Sequence, residues 1–245
     1  MRWRRCCISA LAGLCLAGCA SAPPPQAVVG GSRAAALEAE YTRLARAHPG
    51  STYRLDPAAS SVAIYVLRGG LAAKAGHNHV LEAPTFTGYA YVPERRFNGA
   101  RFDLEFRLDR LLDDPRLRER TGGAFAGRLS SQDIADTRRH MLGPDNLQAT
   151  DFPWVEIRSR SVVGEAPVAA ARVAITLHGV TRQQDLALRI QRAPGRLAAR
   201  GALVLRQSDF GVKPYSVLGG LLAVEDPVIV RFDLVGVLLT PTGDP

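Results

Sequence analysis

The sequence predicts an all-β fold: an antiparallel barrel with one short helix before it and one helical insertion within it. Apolar and polar residues alternate through most of residues 52–240, and breaks rich in glycine and proline interrupt that alternation at short intervals. Many strands at such spacing form sandwiches or barrels. The strands between the breaks are long, which favours a deep barrel over a compact sandwich.

Residues 1–18 are predicted to be a lipoprotein signal peptide. Three arginines within residues 2–5 precede an apolar run over residues 8–17, which is too short to span a bilayer. The tetrapeptide Leu16-Ala17-Gly18-Cys19 resembles the bacterial lipobox. That resemblance implies cleavage before Cys19 and attachment of acyl chains such as palmitate to it. An ordinary secretory signal with incidental cysteines is the alternative.

The residue after the cysteine bears on localisation. Resemblance to sorted lipoproteins implies that Asp at this position favours the inner membrane, so Ala20 predicts the outer membrane, facing the periplasm. Several acyl chains would make this anchor stable, because one chain alone binds only marginally. All four cysteines lie within residues 1–19, so the body of the protein has none for disulfides, as in an envelope protein that relies on core packing.

Residues 19–51 are predicted to form a lipidated tether followed by a short helix. The prolines at 23–25 favour extended backbone. The segment 33–48 then carries an apolar stripe at helical spacing, formed by Leu37, Tyr41 and Leu44. Ser32 is placed to cap this helix. We expect the helix to pack across a mouth of the barrel rather than to bind a partner.

Arg101 to Asp109 is the clearest strand. Its apolar side chains point one way and its charged side chains the other, which predicts one dry and one wet face. The dry face is formed by Phe102, Leu104, Phe106 and Leu108. Similar alternation occurs at residues 62–67, 173–177 and 186–190, and a last strand covers 228–239. That last strand is apolar on both faces, so the sequence does not show which face points inward.

Turns are expected where glycine and proline interrupt the strands. These positions are 69–70, 93–94, 164–167, 179, 194–195, 219–220 and 226–227. The polar, Arg-rich stretch 113–150 is an insertion, within which Ser131 to Leu142 is predicted to be a helix that lies over one barrel end. The neighbouring acids Asp113 and Asp114 sit among arginines and are interpreted as solvated loop residues.

Four segments, in order, resemble segments of the YceI-like family. They are Tyr53–Val62, Asn146–Ser159, Leu177-His178-Gly179-Val180-Thr181 and Arg206–Val212. The resemblance covers residues 52–240 as one domain and implies a lipocalin-like antiparallel barrel of about eight strands. It also implies binding of a polyisoprenoid or related amphiphile in a central cavity, which a barrel of that size can enclose. We expect a tail in the lumen beside Phe102, Leu104, Phe106 and Leu108, and a polar head near the mouth.

The stretch Gly76-His77-Asn78-His79-Val80 departs from the family pattern. His77 and His79 stand two apart on a predicted strand, so both rings should emerge on one face. With Arg139 and His140 of the insertion, they are predicted to bind the head of the ligand. The alternative is a divalent metal or haem held by His77, His79 and His140, although two histidines alone do not make a closed site. His178 is assigned a structural role.

The sequence predicts a binding protein and not an enzyme. It has no Gly-x-Ser-x-Gly, P-loop or His-Glu-x-x-His motif, and Asp209 in its Asp-Phe-Gly stands apart from every other kinase element. No resident cofactor is expected. A third alternative is a structural envelope protein whose barrel is filled by side chains.

The predicted partners are an amphiphilic lipid and the outer-membrane leaflet that would hold the Cys19 lipid. The net charge of +8 falls to +5 without the signal peptide, and the arginines are spread along the chain, so no nucleic-acid surface is expected. A weak attraction to anionic headgroups is the more natural consequence. The sequence leaves open the identity of the ligand and whether the protein forms a homodimer.

Overall fold

A ring of eight antiparallel strands forms the body of the protein in a computed structural model that describes residues 30–94 and 96–239. The predicted signal peptide, Cys19 and the tether up to residue 29 lie outside the described residues. The helices are α1 (Gly30–Ala47), α2 (Pro115–Thr121) and α3 (Ser131–Leu142). The strands are β1 (Gly50–Leu55), β2 (Ser61–Gly69), β3 (His79–Glu82), β4 (Thr87–Pro93), β5 (Arg101–Arg107), β6 (Leu112–Asp113), β7 (Trp154–Glu165), β8 (Val168–Leu177), β9 (Val180–Ala193), β10 (Arg196–Arg206), β11 (Ser216–Val217) and β12 (Leu222–Leu238).

The ring runs β1-β4-β5-β7-β8-β9-β10-β12 and returns to β1. The long strand β12 makes closure possible because two strands share one of its edges. Its residues 236–238 pair with β1, whereas residues 223–233 pair with β2. Strands β3 and β6 extend the sheet beyond β2. The predicted eight-stranded antiparallel barrel is therefore confirmed.

Side-chain alternation sets the interior of the barrel. On β5 the residues Phe102, Leu104 and Phe106 point inward, as predicted, and the strand ends at Arg107 in a short 3-10 turn. The alternating residues predicted on β2, β8 and β9 also point inward. On β12, whose inward side the sequence left open, the lumen-facing residues are Val228, Val230, Phe232 and Leu234.

Most predicted turns lie between strands, and one does not. Hairpin turns occur at 166–167, 178–179 and 194–195. The turn expected at Asp226-Pro227 is wrong, because β12 continues through it with a bulge between Val224 and Val228. Asp226 stabilises the bulge by accepting hydrogen bonds from the Ser208 backbone N–H and hydroxyl at 2.8 and 2.7 Å.

Helix α1 packs against the outer wall of the barrel, so the prediction that it crosses a mouth is wrong. Its apolar stripe is as predicted, and it contacts outward-facing Tyr89 and Tyr91 of β4. The ring of Tyr41 is fully buried and stacks on Tyr89 with ring centroids 5.5 Å apart. The helix begins at Gly30, so Ser32 lies within it and not at its N-cap. None of the helices in the described ranges is long and apolar enough to cross a membrane.

The expected wet face of β5 is partly buried because α1 covers it. The residues Asp103 and Glu105 are only 4% and 5% exposed. The Tyr41 hydroxyl donates to Asp103 Oδ2 at 3.2 Å, and the Arg33 guanidinium donates to Glu105 at 3.1 Å and to Glu156. These partners replace part of the hydration that the carboxylates lose.

The insertion folds over the end of the barrel where Gly69, Trp154 and Arg206 lie, which is called the mouth end below. The predicted helix matches α3 in both bounds, and Ser130 and Asp133 form a capping box at its start. The shorter helix α2 was not predicted. The opposite end, where Pro93, Arg101 and Ala193 lie, is called the closed end.

Replacing Tyr41 by Ala is expected to destabilise the fold by about 3 to 5 kcal/mol, because it removes a fully buried aromatic ring between α1 and β4. Urea denaturation followed by circular dichroism measures the change. The control is Tyr215→Ala, at an exposed tyrosine, which should change the free energy of unfolding by no more than about 0.5 kcal/mol. Equal losses in the two variants would contradict the packing described here.

The difference in free energy of unfolding between an Asp103→Asn variant and the wild type is expected to shift in favour of the variant as pH rises from acid to neutral. Burial raises the pKa of Asp103 above its ordinary 3.8, and the nearby Arg158 and the Tyr41 hydrogen bond only partly oppose this. The folded protein therefore keeps the proton to higher pH than the unfolded chain does. The wild type loses free energy of unfolding as pH rises through the interval between the two pKa values.

The matched control for that measurement is Asp185→Asn. The hydrogen bond from Arg172 lowers the pKa of Asp185, so its contribution is present above the ordinary 3.8 and lost as pH falls. The two variants should thus diverge from the wild type with opposite pH dependence in denaturant titrations. A parallel response of both variants would mean that Asp103 is solvated in the folded protein.

Candidate functional site

The barrel encloses a cavity of about 620 Å³ along its axis. The inward faces of β2 and of all eight strands of the ring contribute apolar side chains to its wall. Those of the middle of the barrel are Leu55, Val62, Ile64, Leu104, Phe106, Val155, Ile157, Val173, Ile175, Leu186, Leu188, Leu203, Val230, Phe232 and Leu234. The barrel is therefore not filled by side chains, which contradicts the filled-barrel alternative. The volume lies within the range typical of small-molecule sites.

Buried apolar residues line the cavity at the closed end. Val92, Phe97 and Ala100 there are each less than a tenth exposed. The loop that carries Phe97 is fixed by its backbone N–H, which donates to the Gly164 carbonyl at 3.2 Å. Phe97 thus acts as a fixed apolar floor for the cavity.

Polar side chains line the cavity at the mouth end. They are Arg68, His77, His79, Asp133, Asp136, Thr137, His140, Asn146, Gln207 and Tyr215. His77, Asp133 and His140 among them are exposed, so the cavity reaches the surface here. Helix α3 supplies the largest share, because its face toward the barrel carries residues 133, 136, 137, 140 and 141 at helical spacing. The arrangement is an apolar shaft with a polar rim.

The apolar residues predicted to surround a tail lie together on the cavity wall. Phe102, Leu104, Phe106 and Leu108 all line it, although Leu108 belongs to the 3-10 turn after β5. Their contact with a ligand stays a prediction. The alternating pattern of the sequence was sufficient to find them, because a strand of period two has one inward face.

The predicted head-binding residues are brought together except for one. His77, His79 and His140 line the mouth. Arg139 does not line the cavity, and its guanidinium pairs with Asp136 one helical turn away at 2.8 Å, largely exposed. The expectation that both His77 and His79 lie on a strand is wrong for His77, which precedes β3.

The histidines do not form a group suited to hold a metal ion. In residues 30–94 and 96–239, no three side chains of His, Cys, Asp or Glu lie close enough together to share one. The three-histidine arrangement of the metal or haem alternative is therefore absent from the described ranges. His79 is turned instead toward a carboxylate.

A buried charge network holds His79 in place. Its Nδ1 lies 2.9 Å from Asp113 Oδ2, and Asp113 Oδ1 lies 3.7 Å from the Arg118 guanidinium. The side chains of Asp113 and Arg118 are each 4% exposed. Arg118 also donates to the carbonyls of Asn78 at 2.7 Å and Gly127 at 3.0 Å. The carboxylate accepts the Nδ1–H, so in the neutral ring Nε2 is a free hydrogen-bond acceptor beside the cavity.

This network was missed at the sequence level. The pair Asp113-Asp114 was interpreted as solvated, which is wrong for Asp113, because α2 folds over it and brings Arg118 alongside. Asp114 has a separate role, since its side chain accepts the Arg116 backbone N–H at 2.9 Å and caps α2. The signal that could have revealed α2 is Asp-Pro at a helix start.

Three of the four segments that resemble a known family meet at the mouth end. His178 Nδ1 lies 3.1 Å from the Phe210 carbonyl, and its ring packs edge-on against Phe152 with centroids 4.9 Å apart. The turn after it needs Gly179, because a Cβ there would lie 2.7 Å from the Phe152 ring. His178 therefore joins the β8–β9 turn to the segments at 151–154 and 206–212. This contact agrees with a structural role.

The sequence profile of the YceI-like domain matches residues 53–236. The chain belongs to the YceI-like family. The barrel of this YceI-like protein is similar to the crystal structure of Burkholderia cenocepacia BcnA, with a TM-score of 0.55 and 12% sequence identity over 74% of this chain and 98% of that one. The Campylobacter jejuni YceI protein gives a TM-score of 0.50 and 11% identity over 65% of this chain and 84% of that one.

At these identities the solved structures show a shared fold alone. Among curated proteins none matches the chain significantly. The YceI-like barrel is consistent with a binding protein.

We expect nitrogen NMR of the imidazole rings to find the neutral His79 protonated at Nδ1 and bare at Nε2, because Asp113 accepts only from Nδ1. The control is the exposed His48, whose ring should exchange between both tautomers. A His79 ring protonated at Nε2 would show that the Asp113 contact does not hold in solution.

Proposed function

We propose that this YceI-like protein carries or sequesters a polyisoprenoid or similar amphiphile at the bacterial cell envelope. The lipid on Cys19 would anchor it to the outer membrane, on the side that faces the periplasm. The observation that carries the proposal is the apolar cavity of about 620 Å³ with a polar rim. Such a site matches a molecule with a long apolar tail and one polar head. Binding in it requires no chemical step.

The tail supplies most of the affinity in this proposal. Burial stabilises apolar groups by about 0.8 kcal/mol for each CH₂. One five-carbon prenyl unit would thus contribute up to about 4 kcal/mol before the cost of ordering the chain is subtracted. A few units in the lumen therefore suffice for tight binding. The phenyl rings of Phe102, Phe106 and Phe232 give the wall both size and shape.

The head would lie among the polar side chains of the mouth. His79 Nε2 can accept a hydrogen bond from a hydroxyl head, and Arg68, His77 and His140 can donate to the oxygens of a phosphate head. Asp133 and Asp136 line the same rim, and hydrogen bonds from Ser130 and Gln132 hold the pKa of each below its usual range. Their negative charge favours a neutral or singly charged head over a pyrophosphate.

The direct test is native mass spectrometry of the protein purified from bacterial membranes, followed by solvent extraction of what it carries. A bound prenyl lipid or comparable amphiphile in near-equal amount to the protein is the expected result. Protein without extractable lipid, and without affinity for a prenyl alcohol added in solution, would refute the proposal.

An Ala199→Trp variant is expected to weaken binding of a prenyl alcohol by about tenfold or more, because Ala199 lines the cavity and the indole would occupy space that the tail needs. The matched control on the same strand is Ala202→Trp, whose side chain is exposed outside the barrel. Fluorescence titration measures both affinities. Equal affinities in the two variants would place the ligand outside the lumen.

A further inference from the structure

Three leucines stand exposed on the loops beside the mouth. Leu71 is 94% exposed, Leu218 is 71% exposed and Leu221 is 43% exposed. We refer to them as the rim leucines. Monomeric proteins expose single apolar side chains routinely, but several on adjoining loops at the entrance of an apolar cavity mark an interaction surface.

The two loops that carry the rim leucines form one unit. The Ala72 backbone N–H donates to the Leu221 carbonyl at 2.8 Å. Gly70 has a φ of +87°, and a Cβ there would lie 2.5 Å from the carbonyl oxygens of Gly220 and Leu221, so only glycine permits this approach. The loops are thus joined by backbone contacts, and the leucines keep a fixed spacing.

The backbone places Leu218 outward at an energetic cost. Its backbone φ is 53°, in the left-handed region that residues other than glycine rarely adopt. Glycines at 219 and 220 continue with positive φ. A leucine held in this conformation and left in water gains nothing from the fold itself, which points to a partner outside the chain.

The rim leucines adjoin the opening of the cavity. Val217 precedes Leu218 and Leu222 follows Leu221, and both line the cavity. Gly69, two residues before Leu71, also lines it. An apolar molecule that leaves the lumen at the mouth end therefore meets the rim leucines next. The partner that best fits such a surface is one that also supplies or accepts apolar molecules.

The course of α1 shows where the preceding chain emerges. Near the start of the helix, the Arg33 guanidinium lies over the Trp154 ring at 5.0 Å, at the mouth end. After its last turn, the Pro49 carbonyl accepts from the Tyr91 hydroxyl at 3.0 Å, near the closed end. The helix thus runs from the mouth end to the closed end. The chain before Gly30 departs from the end that carries the rim leucines.

This direction shows which end of the barrel an anchor would be attached to. Cys19 precedes Gly30 by eleven residues, which reach at most about 36 to 40 Å even when fully extended. An anchor at Cys19, which belongs to the proposed function, would therefore attach the protein through its mouth end, which lies nearer to Cys19 along the chain than the closed end does.

We propose that the mouth end docks on the surface of a phospholipid bilayer, with Leu71, Leu218 and Leu221 inserted among the lipids at the interface. The opening of the lumen would then face the membrane, and an amphiphile could enter or leave without crossing water. The tether brings the mouth end within reach of the bilayer, and the rim leucines hold it there. Partial burial of several leucines, added to a lipid anchor, gives a stable but reversible contact.

Depth-dependent quenching tests the docking directly. The lipidated protein from a bacterial host receives a single new cysteine by Leu71→Cys or Leu218→Cys, labelled with a nitrobenzoxadiazole dye. Every other cysteine of the chain lies within residues 1–19. The control is Val163→Cys, at a valine that is 50% exposed near the closed end. Vesicles of phosphatidylethanolamine and phosphatidylglycerol carry brominated acyl chains as quenchers.

The labels at 71 and 218 should be quenched and the label at 163 should not. Equal quenching at all three positions, or none at 71 and 218, would overturn the proposal. Shielding of the rim labels in vesicle-free solution that depends on protein concentration would also overturn it, because a second copy of the chain would then be the partner.

A pair of double variants separates docking from ligand binding. Leu71→Ser/Leu218→Ser should slow transfer of a fluorescent prenyl alcohol from these vesicles by about tenfold or more while its affinity in vesicle-free solution is unchanged. The matched control, Val163→Ser/Val168→Ser, removes two exposed side chains near the closed end and should transfer at the wild-type rate. An unchanged transfer rate in the rim variant would refute docking. Absence of prenyl-alcohol binding by the wild type would instead refute the proposed function. The quenching experiment uses no ligand, so its result would still decide whether the mouth end docks on the bilayer.

Discussion

Closure of the sheet by hydrogen bonds between β1 and β12 is the constraint on which the rest of the structure depends. Three register pairs form the centre of this junction, from Tyr53 opposite Leu238 to Leu55 opposite Gly236. The Leu239 N–H donates to the Thr52 carbonyl at 2.7 Å and the Asp56 N–H to the Val235 carbonyl at 2.8 Å, one at each end of it. Without them the ring would have two free edges, and the inward face would open to water. The junction requires close approach, since a Cβ at Gly236 would lie 2.9 Å from Tyr53 Cβ. An enclosed apolar lumen follows from this short junction.

The outer face next to that junction is stabilised by a helix. Because α1 lies on β1 and β4, it covers the region where the ring closes and turns charged residues of β5 into buried ones. A helix that buries carboxylates must bring partners for them, and Tyr41 and Arg33 are those partners. The helix before the barrel is thus an integral part of the fold rather than an appendage.

The sequence predicted the structure correctly where the pattern within a single element is enough to show which residues face inward. Alternation on β5 located Phe102, Leu104 and Phe106 in the lumen, and the residues of the insertion itself predicted the bounds of α3. The environment of Asp103 and Asp113 was not predictable in this way. Each is buried by an element from elsewhere in the chain, and no local pattern records that an α-helix will lie over a strand. The polar rim was found only in part for the same reason.

The contact of the Trp154 ring with two arginines has a practical consequence. The guanidinium groups of Arg33 and Arg107 lie 5.0 and 5.4 Å from the indole, one from α1 and one from the barrel wall. The only other tryptophan of the chain, Trp3, belongs to the predicted signal peptide. Intrinsic fluorescence of a processed chain would therefore come from a single emitter at the seam between helix and wall. It would report detachment of the helix separately from events inside the lumen.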